Sequence, residues 1–195
     1  MHVKSKFQKT ILCIVITAFS SCINAQDSLA YNNLFFQQEH SFGRVVLLPK
    51  TVKAFIFFST ECPICKKQAS DIREIHSYFK QKGVAFYFVY HKLFQSKSKI
   101  NKFHIANAFP LNNIVMDRDN KLTNILNASV TPECFLVDEN GAVVYSGKIN
   151  DRFESIGVQR NYISEHYLKE SIESILLGKE VKIKCTKAVG CIINR

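Results

Sequence analysis

The sequence predicts an α/β fold: a central mixed β-sheet flanked by helices on both faces. Three observations lead there. A short, aromatic-rich apolar run at 54–58 is followed by a long amphipathic stretch and then by a second apolar run at 84–90. Runs of that length without polar alternation suit strands covered on both faces. A strand, a helix and another strand make a right-handed βαβ unit with parallel strands. Further on, two strand-like runs flank Glu139-Asn140-Gly141, a hairpin turn that sends the chain back antiparallel, and a last amphipathic helix follows. The order is βαβ, an insert, then ββα, which mixes parallel and antiparallel strands in one sheet.

Taken in order, Asp27 to Lys50 carries no decisive pattern. Asn33–His40 reads as an edge strand or loop, and Arg44–Leu48 as a short strand ended by Pro49. The central strand runs over Val52–Phe58. A helix over Pro63–Gln81 follows, because Ile64, Ala69, Ile72, Ile75 and Phe79 fall on one face and Lys66, Lys67, Asp71, Arg73 and Lys80 on the other. Gly83 suits its C-cap. Val84–Tyr90 is the second buried strand. Ser96–Ala108 reads as a helix stopped before Pro110, Asn113–Met116 as a short strand, and Asp119–Asn127 as a short helix capped by Asp117 or Asp119. Glu133–Asp138 and Ala142–Gly147 form the hairpin. Ile163–Gly178 is the final helix, with Tyr167, Leu168, Ile172, Ile175 and Leu176 facing inward. A tail over Lys179–Arg195 holds Cys185 and Cys191.

The composition is globular: 195 residues, 47% hydrophobic and 22% charged, enough for one domain with a full core. No apolar run reaches the ~18 residues of a spanning helix. The N-terminus has the layout of a targeting segment. Lys4, Lys6 and Lys9 form a basic region, Ile11–Phe19 an apolar one, and Ile23-Asn24-Ala25 offers a small residue at a cleavage site. Residues 1–25 are therefore read as a signal peptide and 26–195 as the mature domain. A second reading stays open: Phe19-Ser20-Ser21-Cys22 is similar to a bacterial lipobox, with a lipoprotein signal over 1–21 and Cys22 as a membrane tether. A buried N-terminal helix fits less well, because Ser20-Ser21 and Asn24-Ala25-Gln26-Asp27 are polar. Either way the domain is exported, periplasmic or anchored facing the periplasm. The net charge of +10 falls to +7 once the three lysines of 1–25 are removed. The remaining basic residues are scattered, as in Lys92, Lys97, Lys99 and Lys102, with no nucleic-acid motif.

Export matters for the seven cysteines, because disulfides persist outside the cytosol. Cleavage after Ala25 leaves Cys62, Cys65, Cys134, Cys185 and Cys191, an odd number, so one thiol is free or pairs outside the chain. Cys62-Pro63-Ile64-Cys65 lies between the central strand and the first helix. Pro63 suits the first helical position, which puts Cys62 at the N-cap and Cys65 one turn later. A sulfur at a helix N-terminus faces unpaired N–H groups and the positive end of the dipole, so its thiolate is favoured. Glu61 opposes that effect. Cysteines at this spacing also occur as half of a zinc site, but Cys185 and Cys191 are too widely spaced for the usual second pair. The context favours redox chemistry with partner proteins carrying thiols or disulfides, and calls for no cofactor and no metal.

Thr131-Pro132, just before the first strand of the ββα half, resembles the cis-proline loop of thioredoxin-like proteins. An ordinary trans proline starting a strand is the competing reading. The likeness extends to Phe58-Ser59-Thr60-Glu61-Cys62-Pro63-Ile64, Thr131-Pro132-Glu133-Cys134-Phe135, Gly141 to Phe153, Leu177-Gly178-Lys179-Glu180-Val181 and Thr186-Lys187-Ala188-Val189-Gly190-Cys191. Over roughly Val52–Cys191 the chain is similar to exported redoxin-domain proteins of the alkyl hydroperoxide reductase/thiol-specific antioxidant superfamily. The resemblance implies a thioredoxin-like fold and thiol-disulfide oxidoreductase activity. Cys62 and Cys65 are then catalytic, and Pro63, Ile64, Thr131 and Pro132 face the substrate segment. In such relatives serine often stands at the position of Cys65 while the Val-Gly-Cys of the tail is kept. That implies a second arrangement, in which Cys62 pairs with Cys191 and Cys65 is an extra or resolving thiol. A structural Cys62–Cys191 bridge in a binding or assembly module is the non-enzymatic alternative. Peroxiredoxins of the same superfamily place a threonine three residues before the reactive cysteine and a proline four residues before that. Here those positions hold Ser59 and Phe55, so peroxidase chemistry fits poorly. Copper delivery is the remaining alternative; His91 and His104 are available as ligands, without a Met/His cluster.

Overall fold

The structure, a computed structural model, describes residues 35–37, 39–91 and 96–194. The signal-peptide and lipobox readings, with Cys13 and Cys22, lie outside the described residues. The elements are β1 (His40–Phe42), β2 (Val45–Leu47), β3 (Lys53–Phe57), α1 (Pro63–Phe79), β4 (Ala85–His91), α2 (Lys97–Ala106), β5 (Ile114–Asp117) and α3 (Lys121–Ile125). Then follow β6 (Val130–Thr131), β7 (Glu133–Val137), β8 (Val143–Gly147), β9 (Phe153–Ser155), β10 (Val158–Gln159), α4 (Tyr167–Leu176) and β11 (Cys191–Ile192).

Five strands form the central sheet in the order β5-β4-β3-β7-β8. β3 pairs parallel with β4, and β4 with β5. β7 lies antiparallel to β3 on its other side and β8 antiparallel to β7. This mixed α/β arrangement, with the sheet covered on both faces, is thioredoxin-like. Because successive strand residues point to opposite faces, β3 serves two cores. Ala54, Ile56 and Phe58 join α1, α2 and α4 through Ile64, Ile72, Ile100, Leu168 and Ile172. Phe55 and Phe57 join β2 and α3 through Val45, Leu47, Leu122 and Ile125. Lys53 is fully buried; its Nζ donates to the Thr51 carbonyl at 2.9 Å, and burial lowers its pKa. Among the described residues no helix is long and apolar enough to cross a membrane.

The long elements lie where the periodicity places them, and Gly83 is the left-handed residue (φ 83°) that ends the short 3-10 turn after α1. Asp117 holds the start of α3 from a distance. Its carboxylate accepts from Leu122 N (3.0 Å), Thr123 N (2.8 Å) and Thr123 Oγ1 (2.7 Å). The structure differs from expectation at four points. The segment before β3 includes an antiparallel hairpin, β1–β2. The last helix starts at Tyr167, not Ile163, because Ser164 is tied to the Asp151 carboxylate through N (3.0 Å) and Oγ (2.5 Å). Leu176, expected inside, is 38% exposed. The β9–β10 hairpin has no counterpart in the sequence reading.

The tail is fastened to the sheet. Ser146 N donates to Lys184 O (3.0 Å) and Thr186 N to Ser146 O (2.9 Å), a parallel bridge between Ser146 and Cys185. Thr186 Oγ1 accepts from Lys148 N at 2.9 Å and lies 2.7 Å from the Tyr145 hydroxyl. Gly147 (φ 128°) makes room for this, since a Cβ there would collide with the Thr186 carbonyl.

Candidate functional site

β3 runs out at Phe58, whose N–H donates to Val89 O at 2.9 Å. The next turn is closed by Glu61 N on Ser59 Oγ (3.3 Å) and Cys62 N on Ser59 O (3.4 Å). Cys62 is the N-cap of α1, extended at φ −75° and ψ 121°, with Pro63 opening the helix. No side-chain oxygen caps this helix, so the Cys62 sulfur sits at the unshielded positive end of the dipole. Cys62 is 2% exposed. Beside it Glu61 forms an exposed ion pair with Lys99 at 3.1 Å, and Lys99 holds the Glu61 carboxyl below its ordinary value. The carboxylate that opposes a Cys62 thiolate is thus partly offset by a cation from α2.

Across the turn, the Thr131–Pro132 bond is cis, and the Thr131 carbonyl oxygen lies 3.1 Å from Cys62 Sγ. The loop is held from behind by a residue the sequence did not single out as functional. The Glu133 carboxylate accepts from Ser129 N (2.7 Å), Ser129 Oγ (3.3 Å) and Val130 N (3.3 Å). Only the neighbouring Thr-Pro pair pointed toward it.

Cys62 is bonded to Cys191, with Cα atoms 6.0 Å apart across 129 residues, within the ordinary span of a disulfide. The Cys62–Cys65 bridge that the motif spacing suggests is not the one formed. The physical reason is β11, which pairs antiparallel with β6 and sets Cys191 opposite Thr131. Ile193 N extends the ladder to Ser129 O at 2.9 Å. Cys65 is a free, buried thiol. Burial pushes its pKa up to about 12, although it lies within hydrogen-bonding reach of Thr131 and Ser59. Cys62 and Cys65 therefore both abut Thr131. Pro63 is exposed and Ile64 buried. Cys134 is buried against the Gly147 and Lys148 carbonyls (3.3 and 3.4 Å), and Cys185 is exposed.

Tyr90, beside Cys65, lies 2.9 Å from His104 Nε2. His104 Nδ1 lies 2.9 Å from the Pro110 carbonyl. A carbonyl only accepts, so Nδ1 carries the proton and Nε2 accepts from the Tyr90 hydroxyl. Burial lowers the His104 pKa to about 4. His104, considered above as a copper ligand, thus has both ring nitrogens committed to the core.

A family model described as Redoxin matches residues 8–157. The chain belongs to the redoxin family. The redoxin likeness carried by the Cys62 turn and the Thr131-Pro132 loop is thereby borne out at the level of family. A curated relative of this redoxin is the thiol-disulfide oxidoreductase ResA of Geobacillus kaustophilus (strain HTA426), 32% identical over 89 residues, covering 45% of this chain and 48% of that protein. The match spans about half the relative's length. Among solved structures, an uncharacterized conserved protein from Geobacillus kaustophilus superposes with a TM-score of 0.68 at 18% identity, covering 82% of this redoxin and 89% of that chain. A hypothetical protein from Sinorhizobium meliloti 1021 gives 0.65 at 19% identity, covering 74% and 79%. At these identities the likeness is one of fold.

Proposed function

We propose that this redoxin is an exported thiol-disulfide oxidoreductase that exchanges disulfides with partner proteins, with Cys62 as the attacking sulfur and Cys65 as the resolving thiol of the Cys-Pro-Ile-Cys motif. One observation carries the reading. The Cys62 sulfur sits at the free N-terminus of α1, 3.1 Å from Thr131 of the cis-proline loop, with a second cysteine bonded to it and a third one turn away. The helix end favours the thiolate as nucleophile and as leaving group. The relative named thiol-disulfide oxidoreductase supports the same chemistry, and the basic and apolar N-terminal segment supports export. Pro63, Ile64, Thr131 and Pro132 then flank the partner's cysteine.

The bridge actually formed gives the non-enzymatic alternative its footing: Cys62–Cys191 as a structural staple. Disulfide mapping of the mature protein before and after mild reduction separates the two. The oxidoreductase reading expects ready reduction, exchange with glutathione disulfide, and loss of exchange in Cys62→Ser. A Cys62–Cys191 bridge that withstands the same reductant refutes it.

A further inference from the structure

We propose that a basic rim beside Cys62, built from Lys66 and Lys67 of α1 and Lys97, Lys99 and Lys102 of α2, selects partner proteins whose exchanging cysteine is flanked by acidic residues. The inference deepens the oxidoreductase reading above and rests on it. Separated in the sequence, these lysines are gathered by the fold, and all are exposed. Lys66 N donates to Cys62 O at 3.1 Å, which places Lys66 one helical turn from the reactive residue. Lys67 reaches Gln159 Oε1 at 3.1 Å. Lys99 meets Glu61, the residue before Cys62, at 3.1 Å, so the first turn of α2 stands beside the Cys62 turn. Lys102, three residues on, shares that face of α2.

Acidic residues are missing from the same surroundings. Between Glu61 and Asp71, from His91 to Met116, and from Val181 to Arg195 the sequence holds no Asp or Glu. These stretches supply the start of α1, the whole of α2 and the tail that carries Cys191. Neither α1 nor α2 has an acid in its first turn, where one would favour the helix dipole. α2 instead places Lys97 and Lys99 there, against it. The carboxylates that remain near Cys62 are engaged. Lys99 takes up Glu61, and Lys66 acts on it as well. Glu133 is turned onto the Ser129 and Val130 amides. The β9–β10 hairpin that Lys67 touches carries both Glu154 and Arg160, so it leaves the sign of the rim unchanged.

A cluster of one sign beside a reactive group speeds encounter with partners of the opposite sign and disfavours like-charged ones. An anionic lipid surface would be attracted too, but it brings no sulfur to Cys62. A protein with acidic residues beside its cysteine meets the rim and the sulfur together.

The test uses the reduced mature chain as Cys185→Ser/Cys191→Ser, which leaves Cys62 as the accessible thiol. The probes are single-cysteine peptides, activated as 2-thiopyridyl disulfides and flanked by glutamates, lysines or glutamines. Each rate is divided by that of 2-mercaptoethanol with the same peptide, which removes the intrinsic effect of the flanking charges. At low ionic strength the glutamate peptide is expected to react at least about tenfold faster than the lysine peptide, with the peptide recovered on Cys62. The ratio is expected to fall toward unity at about 1 M salt. Adding Lys66→Glu and Lys99→Glu is expected to invert it, and the milder Lys66→Gln with Lys99→Gln to reduce it. A ratio between peptides is unaffected by any change in the Cys62 thiolate fraction. Equal rates for the glutamate and lysine peptides at low salt overturn the proposal, as does a preference that the charge-reversed protein keeps. Failure to react with any peptide, the glutamine one included, overturns the oxidoreductase reading instead. In a second arm, oxidised wild type is expected to stay in the supernatant when vesicles of phosphatidylglycerol and phosphatidylcholine are sedimented. Co-sedimentation that the charge-reversed protein loses assigns the rim to a lipid surface and overturns the protein partner.

Discussion

His104 illustrates how one buried side chain sets a pH limit. Its ring lies among Phe88, Tyr90 and Phe109, donates to Pro110 O and accepts from Tyr90. Burial lowers its pKa from 6.5 to about 4, so the native state holds it neutral while the unfolded chain protonates near 6.5. The unfolded state then binds more protons in that interval, and stability is lost as pH falls from about 6.5 toward 4, by at most about 1.4 kcal/mol per pH unit. Urea unfolding across that range is expected to show this slope in wild type and a reduced one in His104→Asn. Cys65 has the opposite sign. A thiol raised from 9 to about 12 stabilises below pH 9 and loses that contribution as pH rises toward 12. At this scale the turn holding Cys62 and Cys65 was legible from its spacing between strand and helix, and the Thr131–Pro132 loop beside it from the family resemblance. Glu133 and His104 were not. Their roles depend on backbone groups that no residue pattern displays: the Ser129 and Val130 amides for one, the Pro110 carbonyl for the other.

Among the elements, those built on long periodic runs could be read directly. α1 buries the face its period names, and β3, β4 and β7 are buried along their length as continuous apolar runs. The short pairings could not, because two-residue strands such as β6 and β11 have no period. β11 exists where it does because Gly190 admits close approach to Thr131 and Cys191 is bonded to Cys62. Gly147 does the same service for the earlier part of the tail. Gly147→Ala combines a positive φ of 128° with a collision at Thr186, and is expected to cost about 1–3 kcal/mol. Hydrogen exchange provides the check. The Thr186 amide, which donates to Ser146 O, is expected to lose protection, whereas amides in the centre of β3 keep theirs relative to the lowered global stability.

For the molecule as a whole, the Cys62–Cys191 bridge joins residues 129 apart in sequence and closes a loop that runs from α1 to β11. A cross-link of that span stabilises chiefly by restricting the unfolded chain, typically by about 2–4 kcal/mol. Cys191→Ser is therefore expected to unfold at lower urea concentration than the oxidised wild type, and to match reduced wild type. A gap that survives reduction would assign the loss to packing at Cys191 instead. The fold class was legible because length, composition and the βαβ-then-ββα order restrict the topology. The disulfide partner was not legible in the motif spacing, which ranks Cys65 first; the family resemblance offered Cys191 as the second arrangement, and docking of the tail brings its Cα within 6.0 Å of that of Cys62.

The segment around Cys185 has one more effect. β8 ends the central sheet, and an unpaired outer strand offers its N–H and C=O groups to any passing chain. By exchanging hydrogen bonds with Ser146 and lodging Thr186 against Gly147, Tyr145 and Lys148, the tail occupies that border. The same stretch of backbone that delivers a cysteine to Cys62 also guards the sheet against self-association.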